Sequence, residues 1–301
     1  MSQNMYQFIL GSLLSYFFVA IILPILRQKL LDTPNNRSSH YLPTPRGGGI
    51  VFVIVGSLLT YIFSSGTMRW IPILCLPLSI IGIIDDYKDV SAFWRYFVQF
   101  LTVLVLLYVA KIEIPIWSIP FLILILTGII NFVNFMDGLD GIVAGSAVLL
   151  MAAGSNWSLS GSIFGFLIWN WSPAKVFMGD VGSTFIGAVF AGLIIQQPTT
   201  ENAFSFLLLG FPLFGDAAVC IIRRLHCGKN IFSPHRQHLY QRLNQAGWNH
   251  SQVALVYILA VFILILGRAV GGLSLLIALV MLELLLAFVL DLTVATKFEK
   301  C

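Results

Sequence analysis

Three carboxylates end an apolar run in residues 80–90, which read IIGIIDDYKDV: Asp85, Asp86 and Asp89. On a helix Asp89 would share a side with both of the others, because residues three and four apart are neighbours. Clustered carboxylates suit a hard divalent cation, and crowding also makes a carboxylate a base with a raised pKa. A polar helix end that meets water is the alternative, although negative charge there opposes the helix dipole.

A second polar group ends another apolar run. The stretch NFVNFMDGLDG, residues 131–141, carries Asn131, Asn134, Asp137 and Asp140 at every third position. Polar groups at this depth are costly unless they meet a polar site. Amides beside carboxylates suit sugar hydroxyls or the outer shell of a metal, and helix capping is the alternative.

Another carboxylate opens an apolar run. In NWSPAKVFMGDVGST, residues 170–184, the charged residues are Lys175 and Asp180, and Asp180 lies between glycines in a tight turn. A carboxylate there can reach a cleft shared with the other loops. It can also cap the following helix, which Asp does well, and the two roles are compatible.

Candidate anion-binding groups occur in two further loops, one in the first part of the chain and one in the last third. Residues 31–52 contain PRGGG, whose glycines, starting at Gly47, let backbone N–H groups approach an anion at a helix N-terminus. The donors in this stretch are Arg37, His40 and Arg46. Residues 223–252 are basic, with His235, Arg236 and His238 in PHRQH, and such side chains recognise phosphates. A flexible connector and a surface for lipid headgroups are the respective alternatives.

The composition predicts an integral membrane protein. Of the 301 residues 58% are hydrophobic and only 10% are charged, against roughly 25% charged in soluble domains. About 11 apolar stretches approach the length that crosses a bilayer as a helix, and they define one all-α membrane domain, residues 1–301. They are 6–26, 49–65, 70–84, 93–110, 115–133, 141–156, 159–170, 182–197, 203–222, 252–267 and 272–292.

Charge predicts the orientation. With the N-terminus in the periplasm and the C-terminus in the cytoplasm, only Arg69, Lys111 and Arg268 of the 17 Lys and Arg residues lie outside. The other 14 (17 less 3) are cytoplasmic, as the positive-inside rule requires. All five chemistry-bearing stretches then face the cytoplasm. Asp216 lies inside the ninth apolar stretch, where it is a functional candidate or a partner of Arg223 or Arg224.

The stretches that carry these residues resemble one known family. DTPNNRSSHYLPTPRGGG, GIIDDYKD, NFVNFMDGLDG, PAKVFMGDVGS and PHRQHLYQRL occur in order over about 200 residues. They look like the motifs of the polyprenyl-phosphate N-acetylhexosamine-1-phosphate transferases. That family includes phospho-MurNAc-pentapeptide transferase and the bacterial enzymes that begin O-antigen and related glycans.

The resemblance implies a reaction and roles. A UDP-linked N-acetylhexosamine would give its sugar-1-phosphate to undecaprenyl phosphate, releasing UMP, with Mg²⁺ or Mn²⁺ as the cofactor. By position, Asp85 resembles the residue that activates the lipid phosphate, and Asp86 and Asp180 resemble the metal site, with Asp180 as the ligand. Substrate-binding positions would be Arg46, Gly47, Asn131, Asn134, Asp137, Asp140, Lys175, His235, Arg236 and His238. Direct displacement and a covalent phospho-aspartate use the same residues.

Details of the last loop bear on the sugar. PHRQH has fewer histidines than the GlcNAc-1-phosphate branch usually carries, and it looks more like initiators of O-antigen that use UDP-N-acetylfucosamine or UDP-N-acetylquinovosamine. UDP-GlcNAc stays an alternative donor. A transporter or flippase for a lipid-linked anion is the rival class, but transporters place polar groups near the bilayer midplane. The expected location is the bacterial inner membrane. The expected partners are membrane lipids and a second copy of the chain, without nucleic acid.

Overall fold

A computed structural model describes residues 2–34, 42–111, 115–230, 233 and 235–298, so Arg37 and His40 lie outside the described residues. The α-helices are α1 (Gln3–Lys29), α2 (Ile50–Phe63), α3 (Ile71–Leu74), α4 (Leu76–Tyr87), α5 (Ala92–Ala110), α6 (Ile119–Met136), α7 (Ile142–Ala153), α8 (Trp157–Asn170), α9 (Asp180–Ile195), α10 (Thr200–Leu208), α11 (Phe211–His226), α12 (Leu239–Gln245) and α13 (His250–Thr293). Short 3-10 turns are Gly66–Arg69 and Ile116–Ser118. The strands β1 (Leu31–Asp32) and β2 (Thr44–Pro45) pair antiparallel, with Leu31 opposite Pro45.

Every predicted apolar stretch coincides with helical structure, which confirms an all-α membrane protein. Within the described residues, four helices are long and apolar enough to cross a membrane: α1, α5, α6 with its preceding turn, and α13. The pair α10 and α11, bent by 74°, would make a fifth. The number eleven and the orientation stay predictions.

Two breaks divide helices where the sequence predicts spans. The third stretch breaks at Cys75 into α3 and α4, next to Pro72 and Pro77. The last two stretches meet inside α13, where Gly272 has the non-helical angles φ 60° and ψ −149°. Glycine adopts a positive φ without the steric cost that other residues incur, so the chain turns there and α13 has one helical segment before Gly272 and one after it.

Helix α9 is the centre of the fold. All of its residues from Val181 to Ile194 are buried, as expected of a helix that is apolar all round. Small residues allow its neighbours to approach: a Cβ on Gly187 would lie 2.7 Å from Cα of Ile130 in α6, and one on Gly82 in α4 would lie 2.6 Å from the Val181 nitrogen. The start of α9 therefore meets the ends of α4 and α6.

Candidate active site

The carboxylate of Asp86 lies against the first residues of α9. Its Oδ1 accepts from the Asp180 backbone nitrogen at 3.3 Å, and its Oδ2 accepts from that of Val181 at 3.4 Å. These N–H groups have no partner inside the helix, and the helix dipole favours a negative charge at this end. Asp86 therefore joins the DDYKD stretch to the start of α9.

Glycine is required next to this contact. Gly179 precedes α9 with φ +72°, in the left-handed region. A Cβ there would overlap Oδ2 of Asp86 and would lie 2.9 Å from the Gly47 nitrogen. The predicted PRGGG stretch thus reaches the carboxylates. Arg46 donates to the backbone carbonyl of Asp86, and its Nε is 3.9 Å from the Asp86 carboxylate.

The carboxylate of Asp180 receives donors from two other helices. Asn134, near the end of α6, donates from Nδ2 to Oδ1 of Asp180 at 3.0 Å, and the same amide lies 2.9 Å from Oγ of Ser183. Arg95 in α5 approaches Oδ2 of Asp180 at 3.4 Å and binds Asp85 at 2.9 Å. Arg95 therefore bridges two of the predicted catalytic carboxylates.

Negative charge is concentrated and only partly neutralised here. Burial, and then the charge of Asp180, raises the pKa of Asp86 from 3.8 to about 7, although backbone donors and Arg46 oppose the rise. Burial, followed by the charges of Asp180, Asp86 and Asp140, raises the pKa of Asp137 well above its usual value. Burial also raises the pKa of Asp180, against the Asn134 hydrogen bond. These carboxylates lie just beyond the predicted spans 70–84, 115–133 and 182–197.

The donor set fits a hard cation. Asp86, Asp180 and Asp137 offer only oxygens, which Mg²⁺ and Mn²⁺ prefer. Raised pKa values mean that the folded chain destabilises these ionised groups, and a cation would relieve that cost. Among the described residues, the Asp137 carboxylate makes no hydrogen bond or ion pair, so it is available to a ligand.

Other predicted site residues are held by the fold. Asn131 exchanges hydrogen bonds with Gln99, at 2.8 and 3.3 Å. Asp140 accepts from the Ala174 nitrogen at 3.1 Å and lies 3.0 Å from Nδ1 of His250. Both side chains thus tie loops together next to the carboxylates.

Two residues lie at the rim. Exposed Lys175 places its Nζ 5.2 Å from the centre of the Trp169 ring. Asp89 is exposed. Asp85 is instead held in place, because its Oδ1 accepts from the Val90 nitrogen at 2.7 Å while its Oδ2 binds Arg95.

The PHRQH segment approaches the same region through α12. Tyr240 donates its hydroxyl to the Phe135 carbonyl, 2.9 Å away, and a Cβ on Gly138 would overlap that hydroxyl. The ring of His238 stacks on Tyr240, with centroids 5.5 Å apart, and lies 5.0 Å from the ring of His235. The loop after α6 and the start of α12 are therefore in contact.

A basic cavity of about 520 Å³ lies beside this segment. Its basic lining residues are Arg224, Lys229, His235, Arg236, Arg242 and Lys297. Ligand atoms of Cys220, His235 and His238 lie within 4.8 Å of one another. Thiol and imidazole groups suit softer metals than Mg²⁺, so among the described site residues the donors that suit a hard cation are the carboxylates.

Asp216 does not pair with either arginine that the sequence offered. Arg223 binds Asp291 at 2.7 Å, and Arg224 donates to Gln237 at 2.7 Å. Asp216 instead accepts hydrogen bonds from the start of α12 and from Tyr257.

Sequence reasoning missed Arg95 as a site residue and saw no role for Tyr240 or Tyr257. Arg95 had a signal: it is a cation close to the start of an apolar helix, ten residues after Asp85. Such a charge must meet a partner or water. Tyr257 gave no such signal, because an aromatic residue in an apolar run is usually a core residue, and Tyr240 lies in a polar stretch where a single aromatic residue predicts no contact.

An all-α membrane protein with a buried carboxylate site is thus defined by fold and geometry. A sequence profile of glycosyl transferase family 4 matches residues 68–197. The chain is 30% identical to a probable undecaprenyl-phosphate N-acetylglucosaminyl 1-phosphate transferase of Bacillus subtilis, covering 87% of this chain and 84% of that protein. It is 31% identical to an undecaprenyl-phosphate alpha-N-acetylglucosaminyl 1-phosphate transferase of Thermotoga maritima, over 75% and 78% of the two chains.

A third relative belongs to a neighbouring branch. The chain is 29% identical to a phospho-N-acetylmuramoyl-pentapeptide-transferase of Caldanaerobacter subterraneus, over 86% of this chain and 98% of that protein. The chain belongs to glycosyl transferase family 4. It is a membrane-embedded transferase, and the predicted resemblance is confirmed.

Proposed function

We propose that the chain transfers an N-acetylhexosamine-1-phosphate from a UDP-sugar to undecaprenyl phosphate. An oxygen of the lipid phosphate bonds to the phosphorus next to the sugar. The bond from that phosphorus to the oxygen of the UMP moiety breaks, and UMP leaves with the electron pair. The products are undecaprenyl-diphospho-sugar and UMP, so charge and atoms balance.

One observation carries the proposal: Asp86, Asp180 and Asn134 come from three distant stretches and converge at the start of α9. Such a cluster is costly to bury unless a ligand uses it. Phosphoryl transfer needs little covalent help from a protein and depends on positioning and on charge neutralisation. The printed activities of the relatives support this chemistry.

The carboxylates are proposed to hold the metal. Asp180 and Asp86 would bind Mg²⁺ or Mn²⁺, and Asp137 faces the same charges. When bound, the cation supplies neutralisation of the diphosphate and of the departing UMP. The chain itself fixes the carboxylates through Asn134, Arg95 and the backbone N–H groups of α9.

Arg95 and Asp85 are proposed to receive the lipid phosphate. A phosphomonoester is mostly a dianion near neutral pH, since its second pKa is about 6. It therefore needs a cation and alignment more than it needs a base. Arg95 can turn its guanidinium to the phosphate while Asp85 holds its other side, and Asp85 accepts any remaining proton.

Donor recognition is proposed for the loop after α6 and for the last loop. Asn134 and Asp137 face the sugar and diphosphate, with Arg46 and Gly47 at the opposite edge. His235, Arg236 and His238 supply hydrogen-bond donors next to them. Asn131 and Asp140, which the fold engages elsewhere, shape these loops, and Lys175 lies at the rim.

The physiological donor is proposed to be UDP-N-acetylfucosamine or UDP-N-acetylquinovosamine, because PHRQH has fewer histidines than the GlcNAc-1-phosphate branch usually carries. The product would begin O-antigen or another surface glycan at the cytoplasmic face of a bacterial inner membrane, in a homodimer. The names of the relatives favour UDP-GlcNAc as the second candidate.

A screen with product analysis tests the function. Purified protein in detergent is given undecaprenyl phosphate, Mg²⁺ and one UDP-sugar at a time, and UMP and the lipid product are measured by mass spectrometry. We expect UMP release with one UDP-N-acetylhexosamine, strictly dependent on the lipid. EDTA should abolish it, and Mg²⁺ or Mn²⁺ should restore it. Release that persists in EDTA would refute the metal site, and no release from any donor would refute the function.

A further inference from the structure

The carboxylate of Asp216, in α11, is almost completely buried, with 5% of its side chain exposed. Its Oδ1 accepts from the Leu239 nitrogen at 2.7 Å. Its Oδ2 accepts from the Tyr240 nitrogen at 3.0 Å and from the Tyr257 hydroxyl at 2.7 Å. Nδ1 of His238 lies 3.7 Å from Oδ1. One carboxylate therefore joins α11, α12 and α13.

Helix α12 depends on this carboxylate for its position. It has only seven residues, and a helix that short is marginal without tertiary contacts. The first N–H groups of a helix have no partner within it. Here those of Leu239 and Tyr240, the first two residues, donate to Asp216 on another helix, while His238 and Gln241 form a local capping box at the same end. The position of α11 thus sets the position of α12.

The same contact leads to both donor-binding loops. His238 directly precedes α12, and its ring stacks on Tyr240 at an interplanar angle of 26°. Tyr240 then donates to the carbonyl of Phe135, which lies between Asn134 and Asp137 in the chain. A displacement of α12 would therefore move His238 and disturb the loop after α6 together.

We infer that Asp216 is a positioning residue for the sugar-nucleotide donor, and that Tyr257 holds Asp216 in place. The inference rests on the proposed function. Asp216 itself touches no substrate. It orients His238 and α12 against the loop that carries Asp137, whereas no hydrogen bond or ion pair among the described residues joins Asp216 or α12 directly to Arg95 or Asp85 on the acceptor side.

The test separates donor from acceptor kinetics. Asp216→Asn keeps the size of the side chain but replaces one acceptor oxygen with an NH2 group. That group cannot accept a hydrogen bond from the N–H and O–H groups that face it. We expect KM for the UDP-sugar to rise about tenfold or more, and KM for undecaprenyl phosphate to stay within about twofold. Tyr257→Phe removes one hydrogen bond and should raise the donor KM by about threefold to tenfold.

A matched control lies in the same cavity. Glu283 and Asp216 both line a space of about 440 Å³, but among the described residues the Glu283 carboxylate oxygens make no hydrogen bond. Glu283→Gln should therefore leave both KM values unchanged. If Asp216→Asn fails to fold in detergent, Tyr257→Phe carries the test, because it removes only a hydroxyl.

Hydrogen–deuterium exchange measures how firmly the start of α12 is held, without requiring turnover. Peptides that contain Leu239 and Tyr240 should exchange faster in Asp216→Asn than in the wild type, and at the wild-type rate in Glu283→Gln. Unchanged exchange would overturn the inference. Equal effects on both KM values, or none, in an active enzyme would overturn it too. A wild type that releases no UMP refutes the proposed function instead, and the exchange result still decides the role of Asp216.

Discussion

Replacing Asp180 by asparagine should separate catalysis from folding. The amide has the same shape, and its oxygen can still accept from Asn134, 3.0 Å away in the wild type. The substitution removes one negative charge from the proposed metal site. We expect turnover to fall by about a thousandfold or more, the range for removing a group that stabilises charge in the transition state. The folded, metal-free protein should become more stable.

The gain in stability follows from the repulsion between Asp180 and Asp86. Burial and then Asp180 raise the pKa of Asp86 from 3.8 to about 7. Since one pKa unit equals about 1.4 kcal/mol, ionising Asp86 costs the fold roughly 4 kcal/mol. Asp180 is the second cause after burial, so its removal should return a part of this, on the order of 1 kcal/mol.

The sign of the pH dependence is determined. Between 3.8 and about 7 the folded chain holds the Asp86 proton more tightly than the unfolded chain does. Stability therefore falls as pH rises through this window and is level above it. The gain from Asp180→Asn should be fully present at about pH 8 and small at about pH 5, where Asp86 is protonated in the fold.

Thermal unfolding in detergent with EDTA measures stability, and UMP release with Mg²⁺ measures turnover. Asp89→Asn is the matched control, because Asp89 is an exposed acid of the same DDYKD stretch and should change neither quantity. Turnover within tenfold of the wild type would remove Asp180 from the catalytic site. A less stable Asp180→Asn at about pH 8 would refute the charge-repulsion argument.

Three further outcomes are expected. Gly179→Ala should destabilise the protein by about 1–3 kcal/mol and abolish turnover, because the new Cβ overlaps the Asp86 carboxylate. The control Gly66→Ala, at φ +58° with no atom within 4 Å, should cost only about 1 kcal/mol in thermal unfolding. Equal effects of the two substitutions would contradict the contact between Gly179 and Asp86. Arg95→Lys should raise KM for undecaprenyl phosphate about tenfold in steady-state assays, because a point charge cannot bridge two carboxylates as a planar guanidinium does, and an unchanged KM would exclude the arginine from the acceptor site. Tags at the two ends should report a periplasmic N-terminus and a cytoplasmic C-terminus, and both ends on one side would mean an even number of spans.

The helices were predictable because lipid allows few alternatives. A chain with 10% charged residues must satisfy its backbone within each apolar stretch, so each predicted stretch became helical. Helix breaks at Cys75 and between α10 and α11 were not predicted. The sequence did carry a signal for both breaks, because Pro77 lies in the first turn of α4 and Pro212 in the first turn of α11, and proline cannot continue a preceding helix.

The sequence predicted which residues belong to the site better than it predicted which partners they contact. Asp86, Asp180 and Asn134 were singled out because charged and amide groups at the ends of apolar runs need a polar partner. Arg95 was missed, although it has the same kind of signal. Asn131 and Asp140 have the residue types of ligand-binding groups, but their hydrogen bonds lie with Gln99, Ala174 and His250.

The sequence by itself determined that this protein is a helical membrane protein and which stretches carry its chemistry. It also determined which transferase family those stretches resemble. Only the tertiary structure decided which carboxylate faces which donor. Spacing along a helix relates residues within about two turns, whereas Asp86 and Asp180 are 94 residues apart and meet only because glycines let α4, α6 and α9 approach. In the same way, Asp216 had two arginines close in sequence, and the fold gave it α12 and Tyr257 instead.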